Sequence, residues 1–157
     1  MANAFRHSLW QAGVASKYGS DVAEAAGNSH ESYTNVDLSQ RTFKGEDALQ
    51  DADQTIDLLN NSLARGIGTK NSNTSTKDLA VITLDFFHEK GFFVATTNKD
   101  KSVSIKQTKL TDSQYKTAMD IIKGLNENGN TKEQQTSEDK KKLEQQQQTN
   151  MRTLIRN

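Results

Sequence analysis

The chain lacks several residue types and patterns, and each absence excludes a class of protein or site. It has no cysteine, which excludes disulfides, thiolate nucleophiles and zinc sites built on thiolates. No apolar run approaches the roughly 20 residues that a membrane-spanning helix needs, and the first residues do not show the apolar segment of a signal peptide. Proline is also absent, so turns and helix ends must be marked by Gly, Asn, Asp and Ser.

Hydrophobic residues are scarce, and the charges balance. Hydrophobic residues make up 32% of the 157 residues, and the mean hydropathy is -0.83. These values predict one domain with a small core, or one domain plus a tail. The chain has 20 basic and 20 acidic residues, but nine acids and four bases fall in residues 1–60 and eleven acids and sixteen bases in 61–157. A nucleic-acid binder usually has a stronger basic excess, so nucleic acid is the less favoured partner.

The first half of the chain reads as helical. Residues 2–18 place Phe5, Leu9, Ala12 and Ser16 on one face, and Tyr18-Gly19 is typical of a helix end. Because this pattern begins at once, we expect Met1-Ala2 to be a start added to a domain of a longer polypeptide. The following elements are predicted as a helix over about 21–33, a loop over 34–45, a helix from Asp47 to about Arg65 ended by Gly66-Ile67-Gly68, and a polar linker over 69–76.

The second half predicts one core helix, one hairpin and a polar end. Residues 76–90 carry the densest apolar pattern, with Ser75 or Thr76 as the cap and Gly91 as the stop. FFVATT and SVSIKQ read as a β-hairpin near 92–107, Thr111 caps a further helix, and 127–135 reads as a linker before a polar helix or disordered tail. The expected fold is mainly α (α+β), with about five helices, one small hairpin, a domain over 1–126 and a Gln/Lys-rich tail over 127–157.

Polar residues stand against local helix propensity at three places in the first 61 residues. Asn3, Arg6, His7 and Trp10 share one face of the first helix through i, i+3 and i+4 spacing. The other two places are His30-Glu31 and the group Asp57, Asn60 and Asn61, where Asp and Asn are poor interior helix formers. These placements indicate either a site or a buried polar network.

Two chemistries fit these residues. In one, His7, His30 and Asp57, with Glu31 beside them, hold a divalent metal ion that activates water. In the other, no metal is used: His7 is a general base, Glu31 or Asp57 orients it, and Arg6 with Asn60 or Asn61 holds an anionic group. His88-Glu89 lacks the second His of a zincin motif, and we interpret His88 as structural.

Three sequence blocks resemble a bacterial domain family. NAFRHSLW at 3–10, GNSHE at 27–31 and DLLNNSLARGIG at 57–68 are similar to N-A-F-R-H-A-x-W, G-D-A-H-E and D-L-x-N-N-x-x-G-R-x-I-G, in the same order. Such domains occur at the C-termini of Rhs, VgrG-linked and other polymorphic toxins. The chain departs from the pattern at Asn28, where Asp is common, and at Ala64, where Gly is common. The matched polar positions are Asn3, Arg6, His7, Trp10, His30, Glu31, Asp57, Asn60, Asn61 and Arg65.

The resemblance implies an interbacterial toxin or effector domain that a secretion system delivers into a target cell as part of a secreted parent polypeptide. A cognate immunity protein would be its partner. We expect a hydrolase with His7, His30, Glu31 and Asp57 as catalytic residues, acting on a phosphodiester, a lipid or the cell wall. The expected substrate-binding residues are Asn3, Arg6, Trp10, Asn60, Asn61 and Arg65. The alternative is a non-enzymatic domain that acts on membranes or binds a partner, with these residues forming a structural polar network.

Overall fold

The computed structural model describes the backbone of residues 2–28 and 36–156 and the side chains of 2–27 and 36–148. Within these ranges the chain forms six helices and a three-stranded antiparallel sheet, so the prediction of a mainly α fold with a small β part is confirmed. In chain order the elements are α1 (Ala2–Tyr18), α2 (Ser20–Asn28), β1 (Thr42–Phe43), α3 (Ala48–Lys70), α4 (Thr76–Glu89), β2 (Phe92–Thr97), β3 (Val103–Thr108), α5 (Asp112–Lys123) and α6 (Lys132–Arg156).

The closest helix packing joins α1 to α3. A Cβ atom built at Gly68 would lie 2.2 Å from the backbone oxygen of Ala12 and 2.8 Å from the Cβ of Ala15. His7, nearer the start of α1, lies beside Asp57, nearer the start of α3, so the two helices run parallel. The inward face of α1 is accordingly built from small buried residues, among them Ala12 and Ala15.

The other side of α3 covers the sheet. The strand order is β1-β3-β2, with Phe43 opposite Val103 and Ala95 opposite Ile105. Alternate residues of a strand point to the same face, and Val103 and Ile105 are both buried in one cluster with Phe43 and with Ala52 and Ile56 of α3. The sheet therefore holds one long side of α3 while α1 holds another.

An aromatic cluster joins the start of β2 to α4. The ring of Phe92 lies 5.0 Å from that of Phe87, in an edge-on arrangement, and 5.2 Å from that of Phe86. Phe87 and Phe92 are almost completely buried, in the same cluster as Ala12, Ile67 and Leu79. Burial of apolar side chains of this size stabilises a fold by roughly 1.5–3 kcal/mol each, so these rings are a large part of the small core.

Most predicted helix ends are confirmed. α1 ends at Tyr18 with Gly19 at φ +89°, and Gly91 follows α4 at φ +92°. The side chain of Ser75 accepts a hydrogen bond from the Asp78 N–H at the start of α4. Thr111 and Gln114 form a reciprocal capping box on α5, which satisfies two backbone N–H groups that the helix cannot use itself.

Several predicted boundaries are wrong. Gly66-Ile67-Gly68 does not end the third helix, which continues to Lys70, because Gly68 serves the contact with α1 instead of a helix stop. The predicted loop over 34–45 contains β1. Its pairing with β3 could not be predicted from any local sequence pattern. α2 is described from Ser20 to Asn28, and because residues 29–33 lie outside the described residues, the predicted end of this helix stays a prediction. α6 begins at Lys132, inside the predicted linker over 127–135.

None of the described helices combines the length and apolar character needed to cross a membrane.

Substituting Gly68 should separate α1 from α3. Gly68→Ala places a methyl group against a backbone oxygen that cannot rotate away, and we expect the free energy of unfolding to fall by about 3 kcal/mol, as in overpacked cores. The matched control is Gly66→Ala on the same helix, where a Cβ meets nothing within 4 Å and stability should rise by roughly 0.5–1 kcal/mol. Urea denaturation of the two variants measures both effects, and equal stabilities would contradict the close contact.

Candidate functional site

Two rows of polar side chains lie along α1 and α3. Each row has i, i+4 and i+8 spacing, which places its members on one side of a helix. Because α1 and α3 run parallel, the rows meet in register where His7 lies beside Asp57. The rows consist of Asn3, His7 and Gln11 on α1 and of Asp53, Asp57 and Asn61 on α3.

The pair of His7 and Asp57 is the centre of this arrangement. Nδ1 of His7 lies 4.0 Å from Oδ1 of Asp57, and the two side chains are 42% and 33% exposed. This separation is too long for a hydrogen bond, although catalytic contacts of free enzymes often shorten when substrate binds. Half-burial gives the pair a stable position while leaving it open to a ligand.

Arg6 lies on the opposite side of the His7 ring. Its Nη2 donates a hydrogen bond of 2.8 Å to Oδ1 of Asn3 and lies 3.5 Å from Nε2 of His7. A guanidinium group has only donors, so this contact favours a His7 tautomer whose proton is on Nδ1, towards Asp57. Nε2 then keeps its lone pair, which is the form that a general base requires.

Burial raises the pKa of the Asp57 carboxyl above its usual value. The nearby His7 lowers this pKa and Asp53, one turn earlier on α3, raises it again. Desolvation also raises the pKa of Asp53. A raised carboxyl pKa means that the folded state binds the proton more tightly than the unfolded state, so stability falls as the pH rises between the two values. Ionisation of Asp57 therefore lowers the free energy of unfolding.

One turn further along the helices, the polar rows become fully buried. Nε2 of Gln11 donates a hydrogen bond of 2.6 Å to the Ala23 carbonyl of α2. A Cβ built at Gly27 would lie 3.0 Å from Nε2 of Gln11 and 3.2 Å from Nδ2 of Asn61, so glycine allows α2 to approach both amides. Among the described residues, Oε1 of Gln11 and Oγ of Ser8 are buried without a hydrogen-bond partner.

Asn60 does not take the substrate-binding position that the sequence predicts. Its side chain is 1% exposed, and it pairs with the backbone of Phe93 on β2. Nδ2 donates to the Phe93 carbonyl at 3.0 Å, and the Phe93 N–H donates to Oδ1 at 2.8 Å. Because both functional groups of the amide are used inside the fold, Asn60 ties α3 to the sheet and is not available to a substrate.

The other predicted substrate-binding residues divide into two groups. Asn3, Arg6 and Trp10 lie on the exposed side of α1, and Trp10 is 48% exposed. Asn61 is buried beside α2, and Nη2 of Arg65 lies 3.8 Å from Oε1 of Glu24 on that helix. The structure thus brings Asn3, Arg6 and Trp10 to the same face as His7, whereas Asn61 and Arg65 contribute to the contact between α2 and α3.

His30 and Glu31 lie outside the described residues, so their predicted part in the site stays a prediction. Within the described part of the chain, no group of three or more His, Asp or Glu side chains is arranged to hold a metal ion. His7 and Asp57 supply two of the three predicted ligands. The predicted metal-dependent chemistry therefore depends on His30, whereas the predicted metal-free chemistry needs only His7 and a neighbouring carboxylate, which Asp57 can be.

His88 joins two helices, in agreement with its structural interpretation. Its Nε2 lies 2.9 Å from Oδ1 of Asp112 at the start of α5, and its ring stacks on Tyr115 at 4.4 Å. The Tyr115 hydroxyl donates a hydrogen bond of 2.7 Å to Oδ1 of Asp85 on α4. These contacts cross the seam between α4 and α5, beside the apolar cluster that includes Leu84 and Ile122.

Sequence reasoning missed Asp53 as a neighbour of Asp57 and Gln11 as the buried continuation of the α1 row. A signal for both was present, because Asp53 precedes Asp57 by one turn and Gln11 follows His7 by one turn. Neither could be assigned without knowing that α1 and α3 run parallel. The register between two distant helices is a tertiary property that the spacing within each helix does not contain.

Comparison with known proteins gives one family match. A family described as a domain of unknown function, DUF6973, matches residues 1–91, more than half of the chain, and this range includes α1 to α4. No curated protein and no solved structure matches. The matched range contains His7, Asp57, Arg6 and Asn3, together with both residues of the untested His30-Glu31 pair.

Replacing Asp57 by Asn should stabilise the fold. Asp57→Asn removes a carboxylate whose pKa burial raises, so we expect a higher Tm at pH 7.5 and a difference from wild type that shrinks as the pH is lowered and Asp57 becomes protonated. The matched control is Asp51→Asn, an exposed position on the same helix. Thermal denaturation at several pH values measures the difference. A lower Tm for Asp57→Asn throughout would contradict the burial of an unfavourable charge.

Truncating Asn60 should destabilise the link between α3 and β2. Asn60→Ala leaves the Phe93 N–H and carbonyl without their present partner, and we expect a loss of about 2–5 kcal/mol in the free energy of unfolding. Ser62→Ala, at an exposed position of α3, should change stability by less than about 0.5 kcal/mol. Chemical denaturation distinguishes the two. If the Asn60→Ala variant were as stable as wild type but had lost activity, the result would support the predicted role of Asn60 in substrate binding.

Proposed function

The chain belongs to the DUF6973 family, described as a domain of unknown function, and we propose that it is an interbacterial toxin or effector domain with hydrolase activity. The single observation that carries the enzymatic part is the position of His7 between Asp57 and Arg6. A carboxylate near one ring nitrogen and an unprotonated second nitrogen is the arrangement of a general base. In the proposed reaction, water takes the place of the Arg6 contact at Nε2. The toxin part rests on the resemblance of the three sequence blocks to polymorphic-toxin domains.

In the proposed reaction, Nε2 of His7 accepts a proton from water while the water oxygen attacks the substrate. Asp57 stabilises the resulting imidazolium, and the same ring then returns the proton to the leaving oxygen. Arg6, already hydrogen-bonded to Asn3, faces the position where negative charge develops and stabilises it. A positioned base of this kind contributes roughly 10²–10⁴ to the rate of a reaction.

His30 and Glu31 complete the proposed catalytic set on sequence grounds. They belong to the sequence block at 27–31, whose Gly27 packs against Gln11 and Asn61, one turn from His7 and Asp57. A divalent metal ion held by His7, His30 and Asp57 is the alternative use of the same residues. The ion would then lower the pKa of a bound water and so supply the nucleophile.

The proposed setting follows from the resemblance. The domain would be the toxic end of a secreted parent polypeptide, would act inside or on a target bacterial cell, and would be neutralised by a cognate immunity protein in the producing cell. Phosphodiesters, lipids and peptidoglycan are the candidate substrates. Equal numbers of basic and acidic residues argue against nucleic acid, because phosphate binding normally needs a basic surface.

A non-enzymatic domain is the second candidate, and one observation favours it. Gln11 and Asn61 continue the polar rows into the interior, where they serve packing between helices. If His7 and Asp57 also served only packing between helices, both polar rows would be structural along their whole length. The exposure of His7 and its proximity to Arg6 favour the enzymatic proposal.

The decisive experiment is expression of the chain in a bacterium, with and without a periplasmic export signal. Killing in the cytoplasm would indicate nucleic acid, nucleotides or the inner membrane, and killing only after export would indicate the cell wall or the outer face of the membrane. His7→Ala and Asp57→Asn should abolish killing by at least 100-fold in colony counts, whereas Asp51→Asn should kill as wild type does. His30→Ala tests the predicted third residue in the same assay.

Folding must be measured in parallel, because the structural alternative makes the same first prediction. Under the enzymatic proposal, His7→Ala keeps the Tm of the wild type while killing is lost. Killing that disappears only in variants with a lowered Tm would contradict catalysis and favour the structural network. No growth defect in either compartment would contradict the toxin proposal itself.

Metal dependence has its own test. Elemental analysis shows whether the purified protein contains a metal ion. The activity before and after treatment with a chelator shows whether that ion is needed. Bound metal in wild type that is lost in His30→Ala, with activity lost in both the chelated and the substituted protein, would support the metal-dependent chemistry. Full activity in chelator would leave His7 as a general base without a metal.

A further inference from the structure

Asp53 is an acidic neighbour of the candidate site that the proposed reaction does not use. It lies one turn before Asp57 on the same side of α3, at the level of Asn3 in the register that places His7 beside Asp57. Its side chain is exposed, and it belongs to none of the ion pairs between described residues. Asp53 thus places a second negative charge beside the carboxylate that the proposed reaction uses.

The two carboxylates of α3 are close enough to repel each other. Side chains of a helix lean towards its N-terminus, over the preceding turn, so the carboxylate of Asp57 leans towards position 53. Residues four apart on a helix have Cβ atoms about 5–6 Å apart, and like charges at this spacing are unfavourable. Burial raises the pKa of Asp57 most, His7 lowers it, and the charge of Asp53 raises it further.

The side of Asp57 that faces α1 offers the opposite environment. Oδ1 of Asp57 lies 4.0 Å from Nδ1 of His7, and Arg6 places a positive charge behind the His7 ring, with Nη2 3.5 Å from Nε2. Within the part of the chain that the structure describes, no hydrogen bond holds the carboxylate of Asp57 in place. Its direction is therefore set by charge, with repulsion from Asp53 on one side and attraction from α1 on the other.

We infer that Asp53 is a positioning residue of the candidate site, whose charge keeps the carboxylate of Asp57 turned towards His7. The inference rests on the proposed function, in which Asp57 orients His7 and stabilises its imidazolium form. Asp53 acts through Asp57 alone: it exchanges no proton with the substrate and forms no bond in the reaction. Its removal should therefore weaken the contact between Asp57 and His7 without removing either group.

Nuclear magnetic resonance of the ring nitrogens of His7 tests this role without an assay of activity. The chain has three histidines, and His7→Ala identifies the His7 signals by their loss. At pH 7.5 we expect most neutral His7 rings to carry their proton on Nδ1. Asp53→Asn removes the repulsion and introduces an amide that can donate a hydrogen bond to Asp57. The ratio of Nδ1–H to Nε2–H rings should then fall about 3- to 10-fold.

A double-mutant cycle shows whether Asp53 acts through Asp57. In an Asp57→Asn background, Asp53→Asn should leave the tautomer ratio of His7 unchanged, because the carboxylate that Asp53 positions is absent. Asp53→Glu keeps the charge and should restore the wild-type ratio, and Asp51→Asn, at an exposed position of α3, is the matched control. An equal effect of Asp53→Asn in both backgrounds would overturn the inference, and so would a wild-type ratio in Asp53→Asn alone.

Stability and killing together separate a positioning role from a structural one. Burial raises the pKa of Asp53, so removal of its charge by Asp53→Asn should raise the Tm at pH 7.5. Killing by the same variant should require about 3- to 10-fold more expression than wild type, whereas Asp53→Glu should kill as wild type does. Weaker killing that accompanies a lowered Tm would show that Asp53 only supports the fold and would overturn the positioning role.

The inference and the proposed function can fail separately. A tautomer ratio that responds as expected, in a wild-type chain that kills in neither compartment, would support the positioning of Asp57 by Asp53 and contradict the toxin proposal. Killing that requires His7 and Asp57, with a tautomer ratio that does not respond to Asp53→Asn, would leave the hydrolase proposal intact and overturn the inference.

Discussion

The close parallel contact between α1 and α3 is the constraint on which the other features depend. It exists because Gly68 has no side chain where the backbone of Ala12 passes. Helices this close must present small residues to each other, so α1 turns Ala12 and Ala15 towards Gly68 of α3. The same contact fixes the register of the two helices, which places His7 beside Asp57 and Gln11 near Asn61. One glycine therefore sets the core packing and the geometry of the polar rows together.

The polar rows change along their length from partly exposed at His7 and Asp57 to buried at Gln11 and Asn61. At Gln11 the amide is fully buried and held by the Ala23 carbonyl, so it serves the attachment of α2. At His7 and Asp57 the surface opens, and burial is sufficient to raise the pKa of Asp57 without removing it from solvent. A charged group held where the fold disfavours its charge is common at functional sites. Under the proposed function, the ionised Asp57 is the group that would orient and stabilise His7.

Local features were predictable from the sequence, and tertiary features were not. The hairpin, the cap at Thr111 and the face shared by Arg6, His7 and Trp10 follow from patterns a few residues long. Gly68 was misread as a helix stop, because a glycine that ends a helix and one that admits a neighbouring helix look alike in sequence. Asn60 was misread as a substrate contact, because its partner, the Phe93 backbone, lies 33 residues away. Asp53 was overlooked, because its importance depends on burial beside Asp57.

The link between Asn60 and Phe93 also bears on how such a domain can be recombined. The family match ends at residue 91, whereas the amide of Asn60 binds a strand that begins at Phe92 and the ring of Phe92 belongs to the core. β3 in turn pairs with β1, which lies inside the matched range. An exchange of C-terminal segments at residue 91 would thus cut through the core and leave Asn60 facing an unmatched strand. The hairpin must therefore be inherited with the helices that it completes, and α5 must be inherited with α4, because Ile122 of α5 is buried against Ala80 and Leu84 of α4.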